Sequence, residues 1–369
     1  MRKRVCFFLG TDGDYGGAGR ILLNLIRNLD LARFEPLVMV SAEGGISEEM
    51  GRRGIEWRIW PRHDGNRLLT HLLDIVRCAR FFRRERIAVV HMNHGCLGWR
   101  PAEMPAAWLA GVPLAVHFQR IVRNPTPYLK YASCALTCSE YVAKTSGLGR
   151  VPAHVVRDLV QPGRFGSGRD IRHELGLEPG HRVVSYIGRA RRSKGLEMFV
   201  SLAASITDEQ VRFLISTQRA GTTPDSYTQE ELDALVARDP RILCIGFRPD
   251  VENVYASSDL ILFPSQDEEP CAAVLLEAGV AGRVVIGTRT GSTPEFIQDG
   301  INGYLVDKED GAGMARQVER LLNDPELRGR METQARENAE RRFTQAPARE
   351  VERIYDTLCQ TRRQARTRP

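Results

Sequence analysis

The sequence predicts an α/β fold made of two similar parallel-sheet domains in series, and three observations carry that prediction. Short apolar runs alternate with amphipathic segments along most of the 369 residues, the pattern of strands covered by helices on both faces. That length exceeds what one core comfortably fills, at roughly 100 to 200 residues per domain. A stretch rich in glycine, proline and charge, "DLVQPGRFGSGRDIRHELGLEPGH" at 158–181, interrupts the alternation midway and marks a domain boundary.

Before the boundary the predicted strands are "VCFFLG" from 5, "EPLVMVSA" from 35, "IEWRIW" from 55, "IAVVHMN" from 87, "PLAVHFQ" from 113 and "ALTCS" from 135. Between the first two, Ile21, Leu22, Leu25, Ile26 and Leu29 keep a helical period. After it come "RVVSYIG" from 182, "VRFLIS" from 211, "RILCIGF" from 241, "DLILFPS" from 259, "RVVIGT" from 283 and "GYLVD" from 303. From Asp310 the pattern is helical, through "MARQVERLLND" and "REVERIYDTLCQ" to a basic tail. Ligands of such sheets bind beyond the carboxyl ends of the strands.

Hydrophobic residues at 42% and charged residues at 27% are those of an ordinary globular chain, and the net charge of +6 suits anionic partners;. Basic residues interleaved with exposed aromatics are missing, which argues against nucleic acid. Eight cysteines, several inside apolar runs, read as small buried hydrophobes in a reducing compartment. No run approaches the ~20 residues that cross a bilayer, and the apolar run after "MRKR" is too short for a signal peptide. The expected location is the cytoplasm. One segment, "NRLLTHLLDIVRCARFFRRERIAVV", joins leucines to Arg77, Arg80, Arg83, Arg84 and Arg86. Either its leucines pack on the sheet, or it lies on an anionic membrane surface.

The opening turn "GTDGDYGGAGR" at 10–20 admits three readings. A metal at Asp12 and Asp14 is disfavoured against a solvated turn: in the calcium-loop pattern the fifth place is Gly16 and the twelfth Leu23;. A dinucleotide fingerprint fails on glycine spacing. What remains is Gly16 and Gly17 before a helix, either a plain tight turn or bare amides open to an anion or sugar. His91 and His94 stand three apart without further metal ligands and read as structural;.

In the second half, Arg189 ends a strand and Lys194 begins a helix in "YIGRARRSKGLEMF". The pair suits a diphosphate, although basic loops are commonly just solvated. In "FPSQDEEPCAAVLLEAG", Glu269 and Glu277 lie eight residues apart, just over two helical turns, and could share a face. Carboxylates accept from vicinal hydroxyls, and the competing reading is an acidic helix N-terminus. "GTRTGSTPEFIQDGINGYLV" at 287–306 adds a glycine turn whose amides, near Ser292 and Thr293, lie at the same sheet edge.

Four motifs in this order, "GGAGR", "GRARRSKG", "EEPCAAVLLEA" and "GSTPEFIQDGINGYLV", resemble those of glycosyltransferase family 4, the retaining, group 1 transferases of GT-B architecture. The resemblance covers nearly all of residues 4–360. It implies two facing Rossmann-like domains with an interdomain cleft: residues 1–160 on the acceptor side, 161–345 for the nucleotide-sugar, and 346–369 a helix returning to the first domain with a basic tail. It implies that Arg189 and Lys194 clamp the diphosphate of a UDP- or GDP-sugar, that Glu277 holds the ribose, and that Glu269 meets the transferred sugar. Gly16 and Gly17 approach the diphosphate or acceptor, His117 meets a sugar hydroxyl, and Cys271, Ala272, Ala273, Ser292 and Thr293 complete the binding set. No metal or other cofactor is implied. Catalysis would fall to His117, Arg189, Lys194 and Glu269.

The acceptor implied is a glycan or lipid-linked glycan, in cell-surface polysaccharide or glycolipid synthesis. Two departures stand out: Cys271-Ala272 where the family often has Phe-Gly, and Asp158 and Gln161 where it commonly reads Asn-Gly-Val-Asp. The alternatives are a nucleotide-sugar epimerase of the same fold and a non-catalytic binding subunit.

Overall fold

A computed structural model describes residues 2–9, 17–60, 68–93, 100–218 and 223–367. The chain divides into two compact units, residues 1–159 with 345–369, and residues 160–344.

In the first unit, strands β1 (Lys3–Phe8), β2 (Phe34–Val40), β3 (Glu56–Ile59), β4 (Val89–Asn93), β5 (Leu114–Phe118), β6 (Cys134–Thr137) and β7 (Ala153–Val155) alternate with helices. The helices are α1 (Gly17–Asn28), α2 (Gly45–Arg52), α3 (Leu68–Arg84), α4 (Glu103–Leu109) and α5 (Glu140–Thr145). The sheet runs β3-β2-β1-β4-β5-β6-β7, and every pairing is parallel. β4, β5 and β6 are buried along their whole length, and β1 from Val5 onward, because both their faces are covered;. β3 is different. Predicted as a strand, it is a half-exposed edge whose Glu56 and Arg58 pair with each other, Glu56 also with Arg4 of β1 and Arg58 also with Glu85 just past α3. Charge on an edge discourages pairing with another chain. β7 went unpredicted, since three residues without a buried side chain leave no periodic signal.

The second unit repeats the plan with β8 (Arg182–Arg189), β9 (Val211–Gln218), β10 (Ile242–Cys244), β11 (Leu260–Phe263), β12 (Val284–Thr288) and β13 (Gly303–Val306), ordered β10-β9-β8-β11-β12-β13. Its helices are α6 (Pro162–Phe165), α7 (Leu196–Ser205), α8 (Gln229–Val236), α9 (Val251–Ala256), α10 (Ala273–Val280), α11 (Thr293–Phe296), α12 (Gly311–Asn323) and α13 (Pro325–Phe343). Thr228 caps α8 in a reciprocal box with Glu231, and Asp310 and Asp324 cap α12 and α13;. Both sheets therefore reverse strand order beside their first strand, between β1 and β4 and between β8 and β11. These reversals are the switch points at which open α/β sheets bind ligands.

The last helix, α14 (Ala346–Thr367), belongs to the first unit, where Ala348, Val351, Ile354 and Tyr355 are buried in the core of β1 and α1. Burying a Val or Ile side chain contributes about 1.5–3 kcal/mol. Ionic contacts reinforce the seat: Asp30 N–H donates to Glu352 at 2.7 Å, and Lys3 and Arg33 both pair with Asp356.

The cysteines follow expectation in part. Cys6, Cys78, Cys134 and Cys138 are buried, and burial pushes the Cys134 thiol up to about 12;. Cys271 and Cys359 are half-buried, and Cys244 is exposed at the edge strand β10.

Candidate active site

In the second unit, Arg189 closes β8, and a tight 3-10 turn, Arg192–Lys194, leads through Gly195 into α7. Gly195 holds φ +73°, and a Cβ there would stand 1.9 Å from the Pro264 carbonyl oxygen. Only glycine tolerates both, so the turn presses directly against the chain leaving β11. Gln266 N–H donating to the Ser193 carbonyl at 2.8 Å ties the same two loops. Asp225 clamps the turn from the other side, accepting from Ser193 N and Oγ at 3.1 and 2.6 Å, and these bonds hold its carboxyl below the usual range;.

This forced approach brings Lys194 Nζ to 2.6 Å from Glu269 Oε1 and 3.0 Å from Asp267. Glu269 is buried, and the same Oε1 accepts a short hydrogen bond from Ser265 Oγ. Gly291, at φ +49°, lets the β12–α11 loop close over it: a Cβ there would lie 2.3 Å from the Glu269 carbonyl oxygen. Ser292 N–H donates to that oxygen at 2.8 Å. Glu269 is thus a hub at the carboxyl edge of β8 and β11, joined to a lysine, a serine and a glycine turn.

Glu277 lies elsewhere. Since α10 begins at Ala273, Glu269 precedes the helix and the two glutamates do not share a helical face, contrary to the spacing argument. Glu277 is half-buried and accepts from Tyr255 Oη at 2.9 Å. Arg189 turns its exposed side chain to solvent while its carbonyl accepts from Tyr186 Oη. Around the hub, Cys271 is half-buried, Ala272 buried and Ala273 exposed at the start of α10. Ser292 and Thr293 are fully buried, and the hydroxyls of Thr290, Ser292 and Thr293 have no hydrogen-bond partner among the described residues. Orphaned buried hydroxyls are uncommon and mark a place where polar groups are expected to meet something else.

In the first unit, Gly17 opens α1. Gly16, Asp12, Asp14 and His94 lie outside the described residues. His117, on β5, is 3% exposed with neither ring nitrogen partnered among the described residues. Burial lowers its pKa to about 4. Beside it on β4, the fully buried His91 packs edge-to-face at 5.3 Å between ring centroids. Among the described residues no group of three or more His, Cys, Asp or Glu could hold a metal ion.

Sequence reasoning missed Ser265, Asp225, Tyr255 and the His91–His117 contact. The "FPS" ending of β11 offered a signal for Ser265, because a serine just past a buried strand stands at the ligand-binding edge;.

Two parallel sheets of Rossmann order, in a chain that superposes on GT-B structures, define a GT-B α/β protein. The glycosyl transferases group 1 profile matches residues 168–338, and the glycosyl transferase 4-like domain profile matches 16–161. The chain belongs to this glycosyltransferase family, whose members are transferase enzymes.

Among relatives, the D-inositol 3-phosphate glycosyltransferase of Corynebacterium kroppenstedtii is 30% identical over 221 residues, which is 56% of this chain and 48% of that protein. The N-acetyl-alpha-D-glucosaminyl L-malate synthase of Bacillus anthracis is 33% identical over 189 residues, 51% of this chain and 48% of its own length. The aligned region thus spans about half the length of these relatives. Among solved structures, Anabaena HepE in complex with UDP superposes with a TM-score of 0.80 at 19% identity, covering 96% of this chain and all of that one. A glycosyltransferase from Rickettsia africae gives 0.84 at 16%, covering 97% and 98%. At such identity these two establish the fold.

Proposed function

We propose that the chain is a retaining glycosyltransferase that moves a sugar from a nucleoside-diphosphate donor, a UDP-sugar, to an acceptor hydroxyl. The observation that carries this reading is the Lys194–Glu269 hub at the β8–β11 switch point, where a cation and a carboxylate stand within one sugar-diphosphate's reach. Relatives named for glycosyl transfer, and HepE solved with UDP and with UDP-glucose, add support.

In this mechanism Lys194 and Arg189 bind the diphosphate, and the Ser292 and Thr293 hydroxyls with the loop amides of Cys271, Ala272 and Ala273 complete its cradle. Glu277, steadied by Tyr255, accepts from the ribose hydroxyls. Glu269 accepts from hydroxyls of the sugar; in the first unit, the role proposed for His117 is a contact with a sugar hydroxyl, and for the glycine turn before α1 an approach to the diphosphate or acceptor. The bond from C1 to the phosphate oxygen breaks as the acceptor oxygen bonds C1 on the same face. The acceptor proton passes to the departing phosphate oxygen. The two cations stabilise the charge that develops there, so no divalent metal is required. An epimerase would instead return the donor altered at one sugar carbon and consume no acceptor.

The acceptor is proposed to be a glycan or lipid-linked glycan met at the inner face of the cell membrane. Support comes from α3. Leu68, Leu69 and Leu73 are 70%, 77% and 68% exposed, so they do not pack on the sheet. Helical spacing puts Leu69, Leu72, Leu73 and Val76 on one stripe that Arg80, Arg83 and Arg84 continue;. Trp108 of the adjoining α4 is 66% exposed. An apolar stripe ending in arginines and an exposed tryptophan fit an anionic bilayer, each cation near the lipid contributing ~1 kcal/mol. No described helix is long and apolar enough to cross a membrane.

A thermal-shift panel of nucleotides and nucleotide-sugars tests the donor. UDP and one UDP-sugar should stabilise the chain, by about 2.7 kcal/mol at a hundredfold excess over Kd, and no response to any of them would refute the reading. Co-sedimentation with phosphatidylglycerol vesicles tests the surface. Wild type should bind at low salt, and Arg80→Glu, Arg83→Glu, Arg84→Glu combined should not. Failure of wild type to bind removes the membrane from the proposal.

A further inference from the structure

His91 is a fully buried titratable group that the mechanism leaves unused. It is 0% exposed, enclosed by the ring of Phe7 at 5.2 Å, the ring of Tyr355 at 6.1 Å and the ring of His117 at 5.3 Å. Its Nδ1 lies 2.7 Å from Tyr355 Oη, on α14. Its Nε2 has no hydrogen-bond partner among the described residues.

The protons on this pair can be assigned. Burial raises the Tyr355 hydroxyl well above its usual pKa and lowers His91 well below its own, so a neutral phenol faces a neutral imidazole;. If the phenol donates to Nδ1, the His91 proton resides on Nε2, and one donor is left over. If Nδ1–H donates to the phenol oxygen, both the phenol proton and the Nε2 lone pair are left over. Leaving a buried polar group unpaired costs free energy, so the first arrangement prevails. His91 is then a fixed tautomer whose ring edge and plane are set by Tyr355 and Phe7.

His117 has no hydrogen bond of its own among the described residues to orient it. What holds its ring is packing, and among the described residues the aromatic ring against it is that of His91, crossing at 73°. We propose that His91 and Tyr355 are positioning residues, the phenol of α14 fixing the His91 tautomer and ring, and His91 in turn fixing the ring of His117 so that one of its nitrogens faces the sugar hydroxyl. Among the described residues, the titratable groups against the trio are the trio itself and the Cys134 thiol behind Tyr355. The C-terminal helix thereby takes part in the chemistry without touching a substrate.

This inference rests on the assignment of His117 to the sugar, so its test has an arm independent of turnover. Long-range nitrogen–proton NMR of the full-length chain reports imidazole tautomers. Wild type should show His91 as a single Nε2–H tautomer, and Tyr355→Phe, which keeps the ring, should show a mixture with altered His117 resonances. In kinetics, Tyr355→Phe and His91→Phe should each lower kcat about tenfold, as misorientation of a reacting group does, with donor KM within twofold. A merely structural tyrosine would lower the melting temperature of Tyr355→Phe and leave both the His117 resonances and kcat unchanged, which overturns the proposal. A His91 tautomer that does not respond to Tyr355→Phe overturns it as well. If NMR responds and no variant or wild type turns over any donor, the fault lies with the transferase reading.

Discussion

The two switch points solve the problem of buried polar groups in opposite ways. In the second unit the charges are balanced within the protein: Lys194 between Glu269 and Asp267, Glu269 also by Ser265, Asp225 by Ser193. In the first unit the groups are kept neutral instead, His117 and His91 by burial, with three of their four ring nitrogens unpartnered among the described residues. A full charge buried alone is prohibitively unstable, whereas an unpaired neutral nitrogen costs only a few kcal/mol. On the proposed reading, the balanced cations of the second unit are matched to a charged diphosphate and the neutral histidines of the first to an uncharged sugar hydroxyl.

That contrast can be broken most directly at the cations. Lys194→Ala and Arg189→Ala should each lower turnover by about two to three decades, as loss of one preorganised charge donor does. Steady-state kinetics at saturating donor decide it, and near-normal turnover in both variants would remove the diphosphate from this unit. Lys194→Ala should also destabilise the fold, because it removes a cation from a buried carboxylate.

The neutral unit can be tested by pH. Unfolded imidazoles take up protons below pH ~6.5, while His117 resists until about 4 and His91 is held well below the usual value by burial and by His117. The unfolded state therefore binds more protons in that window, and stability should fall as pH drops through it. For His117 alone the loss approaches about 3 kcal/mol at pH 4. Urea midpoints from pH 7 to 4.5 for wild type and His117→Phe should show a shallower decline in the variant, and parallel curves would contradict the assignment.

The roles within the balanced unit separate by calorimetry. Glu277→Ala should weaken binding of UDP itself by about tenfold, the value of one hydrogen bond to a charged group. Glu269→Ala should spare UDP and weaken the UDP-sugar. Equal losses for both ligands in both variants would erase the division. The smallest expected change comes from chelation: activity in excess EDTA should stay within about twofold, and abolition with rescue by magnesium or manganese would overturn the metal-free reading.

Most of the architecture was legible because buried parallel strands write continuous apolar runs, and all but β7 were visible. The edge strands escaped in different ways. β3 carries a strand-like run, yet only the ion pairs of Glu56 and Arg58 show that it is an edge. Lys194 and Glu269 of the hub were named from sequence, but neither their pairing nor Ser265 was. The contact of Lys194 with Glu269 depends on Gly195 meeting Pro264, partners far apart in sequence that no local period connects. Likewise "LLTHLLDIV" has an amphipathic helix's pattern, and its composition does not tell whether the leucines turn inward. His71, Cys78, Ala79 and Phe82 turned out to be the inward face. Tyr355 lies 264 residues from His91, and only the fold joins them.

The return of α14 to the first unit also constrains how the protein is made. The core around Phe34, Val5 and Ile26 is closed by Val351, Ile354 and Tyr355, which leave the ribosome only after residues 160–344 have been synthesised. At about 5–20 residues per second, the nascent first unit waits on the order of ten to forty seconds with the α14 seat of its hydrophobic surface uncovered. The second unit has no such delay, since its segment is continuous. The half of the chain translated first is thus the last to be completed, and it is the half for which chaperone protection during translation matters.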